Sequence, residues 1–271
     1  MPPRDAVLPD FGAPPVVETV VGYSFSPIPQ WDLRHFGLFW NEVSKQYPTF
    51  QVQPPIADAA DITSRVGLAN LIVRAVGVTE LPVRCWYVDA SDARLLQLQR
   101  NRFLHNWRKV SGQETYPRYD DEIRPRFLAE WKRYVAFLQE HGLSQPEVSG
   151  WEVTYVNHFE KGREWSTLAD IGRILRLWNA QSFPPRLGVP DGLVLDLAFP
   201  IDQNSKLAIS VRPAVHQRDG REVLVLNLTA RGKVANSEQA VQGIDSGREA
   251  IVTAFVDLTT DQMHELWQRR A

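Results

Sequence analysis

Arg94–Val110, RLLQLQRNRFLHNWRKV, decides the reading of the chain. It breaks at Arg100-Asn101 into two β-type runs, Arg94–Gln99 and Arg102–Val110, in which leucine and aromatic residues alternate with glutamine, asparagine, histidine and arginine. Val83–Val88 (VRCWYV) precedes them across an Asp-Ala-Ser-Asp turn, so three successive antiparallel strands are expected here. A helix follows over Ile123–His141, with Phe127, Trp131, Tyr134, Val135 and Leu138 on one stripe and Gly142 just past its end.

Upstream, Val16–Phe25 (VVETVVGYSF) is β-branched and aromatic and reads as a strand. Asp32 then offers an N-cap to a helix carrying Phe36, Phe39, Trp40, Val43 and Tyr47 at helical spacing, which Pro48 stops. Phe50–Gln53 is a further short strand, and Asp61–Val78 has no decisive period. The prolines at 2, 3, 9, 14 and 15 suit an extended arm over residues 1–15 with no fold of its own.

Downstream, WEVTYVNHFEKG from Trp151 is again a strand, and a helix is expected over Thr167–Trp178, opened by a Thr167/Asp170 capping box. Three strands follow, Leu193–Phe199, Lys206–Val215 and Glu222–Arg231, the last two joined at Asp219-Gly220. Helices over Asp245–Val256 and Thr260–Arg270 have capping-box spacing at Ser246/Glu249 and Thr259/Gln262.

Both halves, residues 16–145 and 146–271, thus run strand, helix, strands, helix. Their opening strands share a seven-residue interval, from Glu18 to Phe25 and from Glu152 to Phe159. The expected fold class is α+β: two pseudo-repeated strand-helix-strands-helix units forming one compact domain, a curved, mainly antiparallel sheet with helices on one face. That element order resembles the saddle of TATA-box-binding-protein-like folds, a likeness of architecture that carries no function.

Composition narrows the function classes. The 271 residues are 44% apolar, enough for a real core, and 30 basic against 32 acidic side chains give a net charge of -2, which supplies no general field for phosphate backbones. A single cysteine, Cys85, excludes an internal disulfide and a cysteine-based zinc site and reads as a buried strand residue of a cytoplasmic protein. No run approaches a membrane span, and no signal-peptide order is expected at the N-terminus. The six histidines lack zinc-site spacings, and no HExxH, GxSxG, Walker loop or GxGxxG occurs. No catalytic residue, metal site or cofactor is therefore assigned.

Binding residues come from alternation. With helices on one side, the other side of the sheet would show Glu18, Ser24, Arg84, Trp86, Gln97 and Gln99, then Glu152, Thr154, His158, Asp196, Ser210, Arg212, Asn227, Thr229 and Arg231. The opposite positions Leu195, Leu207, Ile209, Val211, Leu224 and Leu226 are apolar. Arg100, Arg102 and Arg108 are recognition candidates at the sheet margin, interleaved with Phe103 and Trp107, which suit the core. Asp120, Asp121 and Glu122 follow this basic patch and oppose its charge.

Several stretches, PPVVETVVGYSF, LFWNEVSKQYP, LLQLQRNRFLHNWRKV, YPRYDDEIRPRF, EVTYVNHF and GREAIVTAFVDLTTDQMHELW, together resemble a sporadically distributed bacterial family of proteins about 250 residues long. That family has no assigned activity to carry onto particular residues, and the sequence departs from its pattern over Asp61–Val78. Its patchy occurrence resembles that of accessory genes, including toxin-antitoxin and anti-phage modules.

These readings favour a non-enzymatic binding protein that engages a macromolecule through the polar side of the sheet, a protein partner first and nucleic acid through the local basic patch second. An enzyme or small-ligand receptor using Glu152, His158, Asp196, Arg212 and Arg231 is the alternative and needs those groups in one pocket. A structural subunit of a larger complex is the third reading.

Overall fold

A computed structural model describes residues 8–56, 83–178, 186–216 and 219–270. The strands are β1 (Val16–Phe25), β2 (Thr49–Gln53), β3 (Arg84–Val88), β4 (Arg94–Gln99), β5 (Arg102–Arg108), β6 (Val148–Glu160), β7 (Leu195–Pro200), β8 (Ser205–Val215) and β9 (Glu222–Lys233). The helices are α1 (Leu33–Val43), α2 (Arg124–Glu140), α3 (Ile171–Ile174), α4 (Ser237–Leu258) and α5 (Asp261–Leu266). The fold is α+β. All nine strands join one open antiparallel sheet in the order β2-β3-β4-β5-β1-β6-β9-β8-β7. The uncertain stretch Asp61–Val78 lies outside the described residues.

Local chemistry sets the ends of the elements. At the start of α1, Asp32 accepts from the Arg34 amide at 3.0 Å, and its own amide donates to His35 Nδ1 at 3.1 Å, so two of the free N-terminal donors are satisfied. After α2, Gly142 takes a left-handed φ of 67°, a conformation that glycine adopts without a Cβ penalty.

Aromatic residues form much of the core between sheet and helices. Tyr23 of β1 and Phe103 of β5 face each other in the register and pack on Phe127 and Trp131 of α2. Tyr87 of β3 meets Phe39 of α1 at 5.6 Å, and the Trp151 ring lies against Gly243 and Gly247 of α4. Phe103 and Trp107 are both buried, as are Leu207, Ile209, Val211, Leu224 and Leu226.

Four expectations change. The last helix runs Asp261–Leu266 rather than Thr260–Arg270, and it starts from Thr260 with no side-chain cap, so the Thr259/Gln262 box does not form. Thr167–Trp178 is not a full helix: the Thr167/Asp170 box forms, but a short 3-10 turn and the single turn of α3 end at Leu175, whose extended backbone bridges Thr259. The helix expected from Asp245 begins eight residues earlier, capped by Asn236, which leaves Ser246 and Glu249 inside it. Among the described arm residues, Phe11 is buried against Phe255 at 5.6 Å, and the amides of Gly12 and Ala13 donate to Gln268 and Trp267 carbonyls. The arm is extended, and burial of that ring holds it to the C-terminal helices.

Candidate functional site

The strand register brings the polar alternating residues onto one side of the sheet. Glu18 stands opposite Arg108, Glu152 opposite Arg231, Thr154 opposite Thr229, and Trp86 opposite Gln97. A run of hydrogen bonds spans four of the strands. Arg84 Nη1 and Trp86 Nε1 donate to Gln97 Oε1 at 2.7 and 3.0 Å; Gln97 Nε2 donates to Asn106 Oδ1 at 2.7 Å; Asn106 Nδ2 donates to Glu18 Oε1 at 2.7 Å. Each amide uses both ends, which fixes its orientation. Burial holds the Glu18 carboxyl above the usual carboxylate range, against the opposing pull of Asn106 and the Arg108 charge.

The eight candidate residues fall into separate places. Arg102, Glu152 and Arg231 converge: Glu152 Oε2 accepts from Arg231 Nε at 2.9 Å and lies 3.4 Å from Arg102 Nη1. Arg102 and Glu152 are only 4% and 9% exposed, so this carboxylate serves chiefly to neutralise a buried arginine. They meet across β1, where Gly22 stands opposite Leu104 on one side and Glu152 on the other, and Ser24 opposite Arg102.

Arg108 pairs with the Asp92 carboxylate, donates through Nε to the Asp92 carbonyl at 2.7 Å and lies over the Trp86 ring. Arg100 occupies the turn between β4 and β5. Asp196 and Arg212 pair at 2.8 Å on β7 and β8, in solvent. His158 stands apart on β6, its ring 6.2 Å from that of His216; burial, followed by the His216 charge, lowers its pKa. Glu152, His158, Asp196, Arg212 and Arg231 therefore do not share one pocket.

His158 instead lines a groove of about 880 Å³ where β1, β5, β6 and β9 end, bounded by residues 12–15 and 109–116. Its ionic side chains are of both signs: Arg108, Lys109, Arg163 and Arg221 against Glu18, Glu114, Glu160, Glu164 and Asp219. Arg221 bonds Glu160 at 2.7 Å and Asp219 at 2.8 Å, and Asp219 also bonds His216 at 2.9 Å. Lys109 fell within the basic run expected as a strand to Val110, whereas Arg163, His216 and Arg221 escaped the alternation argument because they lie in loops or past strand ends. For those last three, the hairpin signal at Asp219-Gly220 was the only trace.

Among the described residues, no group of three or more His, Cys, Asp or Glu side chains is placed to hold a metal ion, and no helix is long and apolar enough to cross a membrane. No family model, curated protein or solved structure matches the sequence.

Proposed function

We propose that this protein is a non-enzymatic binding protein that engages a protein partner through the polar side of its sheet, with the contact centred on the groove around His158 and His216. The observation that carries this reading is the groove itself: about 880 Å³ and lined by charges of both signs. Mixed charge suits the mixed polar surface of a protein, whereas a phosphate backbone calls for a basic track. The arginines first considered for nucleic acid are already engaged, Arg102 with Glu152 and Arg108 with Asp92.

We further read the two halves as a pseudo-repeat with a saddle-like sheet. The order β1-α1-β2-β3-β4-β5-α2 parallels β6-α3-β7-β8-β9-α4, and β1 and β6 are neighbours at the centre with β2 and β7 at the margins. The resemblance to accessory gene families suggests that the partner is encoded nearby, in a toxin-antitoxin or anti-phage module.

The test is affinity purification from the native host with wild type and a Lys109→Ala/His158→Ala/Arg221→Ala variant, analysing protein and nucleic acid together. One stoichiometric protein, lost with a variant of unchanged melting temperature, is the expected result. Equal recovery with the variant, or salt-sensitive nucleic acid in place of a protein, would refute the reading.

A further inference from the structure

A second cavity, of about 320 Å³, opens between the arm, the segment around Tyr116–Asp121 and α4. It uses the side of β6 that carries Tyr155 and Asn157, and shares only Pro14, Pro15 and Tyr116 with the groove. Phe11, Leu228, Ile251, Val252 and Phe255 give it an apolar wall. Its size is at the lower end for small-molecule sites, which pair such walls with a few aimed polar groups.

Arg248 is the cavity's cation with no carboxylate of the described residues within hydrogen-bond reach: its side chain bonds the Tyr155 phenol, and its Nε edge is left over. Its side chain is 19% exposed, and its Nε is buried with no hydrogen-bond partner among the described residues. The guanidinium lies 5.4 Å from the centre of the Tyr119 ring, and Nη2 is 4.0 Å from an Asp120 oxygen, beyond hydrogen-bond reach. Asp120 points largely into solvent. The cavity's other carboxylates are Asp121 and Asp10, and Asp10 is taken by Arg118.

Beside the arginine, the hydroxyls of Tyr116 and Tyr155 stand 2.8 Å apart. One proton serves that bond, which leaves the other hydroxyl hydrogen as a donor. Burial raises both phenol pKa values, so both protons stay in place at neutral pH. A buried guanidinium edge without an acceptor is costly, and a carboxylate is the planar acceptor that matches it.

We propose that this cavity binds a small monocarboxylate with an apolar body, its carboxylate on the Arg248 Nε edge and the tyrosine pair, its body against Phe11, Ile251 and Phe255. Free acids and the carboxyl termini of peptides share this chemistry.

The test is titration calorimetry on the full-length protein with benzoate, hexanoate, their neutral amides, and acetyl-alanyl-phenylalanine with a free carboxylate. Each free acid should bind at least about tenfold more tightly than its amide, the worth of one charge-assisted hydrogen bond. Arg248→Gln should abolish that preference, and Asp120→Asn, which removes the competing carboxylate, should tighten benzoate binding. If Arg248→Gln does not fold, Arg248→Lys, which keeps the charge and loses the fork, should weaken benzoate binding by a similar factor. Tighter binding of the peptide than of hexanoate would point to peptide carboxyl termini, and weaker binding to free acids. Equal affinity for acids and amides, no acid binding at millimolar concentration, or a folded Arg248 variant with the preference intact would overturn the proposal.

Discussion

His105 shows what a single residue of β5 contributes and what its sequence context concealed. It sits within the basic run, yet it shares the alternation of Phe103 and Trp107, stands between Val21 and Leu96 in the register and is 1% exposed. Its Nδ1 is buried without a hydrogen-bond partner, and burial, then the charges of Arg126 and Arg94, lower its pKa to about 3. The folded state therefore keeps it neutral while the unfolded state protonates near pH 6.5. Its stabilisation is present above that value and is lost as pH falls toward 3, by about 1.4 kcal/mol per pH unit for one proton. Glu18 and Glu130, whose pKa values burial raises, act in the opposite direction, so the difference between two proteins is the clean observable. Chemical denaturation of wild type and His105→Leu from pH 7 to 4 should give stabilities that diverge in favour of the variant as pH falls; parallel curves would refute this assignment. Alternation did bring Glu152 and Arg231 to one side, but not the partnership of Arg102 with Glu152. That pairing depends on how three strands are registered, which is not local information.

At the scale of elements, strands and long amphipathic helices were legible because their periods repeat over many residues, and helix ends were less so. Gly243 lowers helical propensity just ahead of Asp245, where α4 was expected to begin, and Gly247 lies inside the expected helix. Their reason is tertiary: a Cβ at either position would overlap the Trp151 ring. Gly37 in α1 is the opposite case, with nothing within 4 Å of an added Cβ. Gly247→Ala should therefore cost about 1–3 kcal/mol through overpacking, whereas Gly37→Ala should gain about 0.5–1 kcal/mol from helix propensity. Urea unfolding of both variants checks the pair, and similar shifts of the same sign would contradict the packing argument. The shortening of α3 was likewise invisible locally, because Leu175 leaves the helix to bridge Thr259, some eighty residues on.

At the scale of the molecule, the order of elements along the chain was legible before any contact was known, and among the described residues nine strands join one open antiparallel sheet. The candidate site was legible only in part. Strand-borne residues such as Glu18 and His158 were placed by their period, while the loops that turn the end of the sheet into a groove carry no period at all. The proposed function rests on that groove as the place of contact. Its most direct test is hydrogen-exchange mass spectrometry of the full-length protein with and without the protein partner it captures in its host. Partner-induced protection should concentrate on residues 109–116, 156–163 and 219–223; protection confined to α1 and α2, with the groove exchanging as in the free protein, would contradict it.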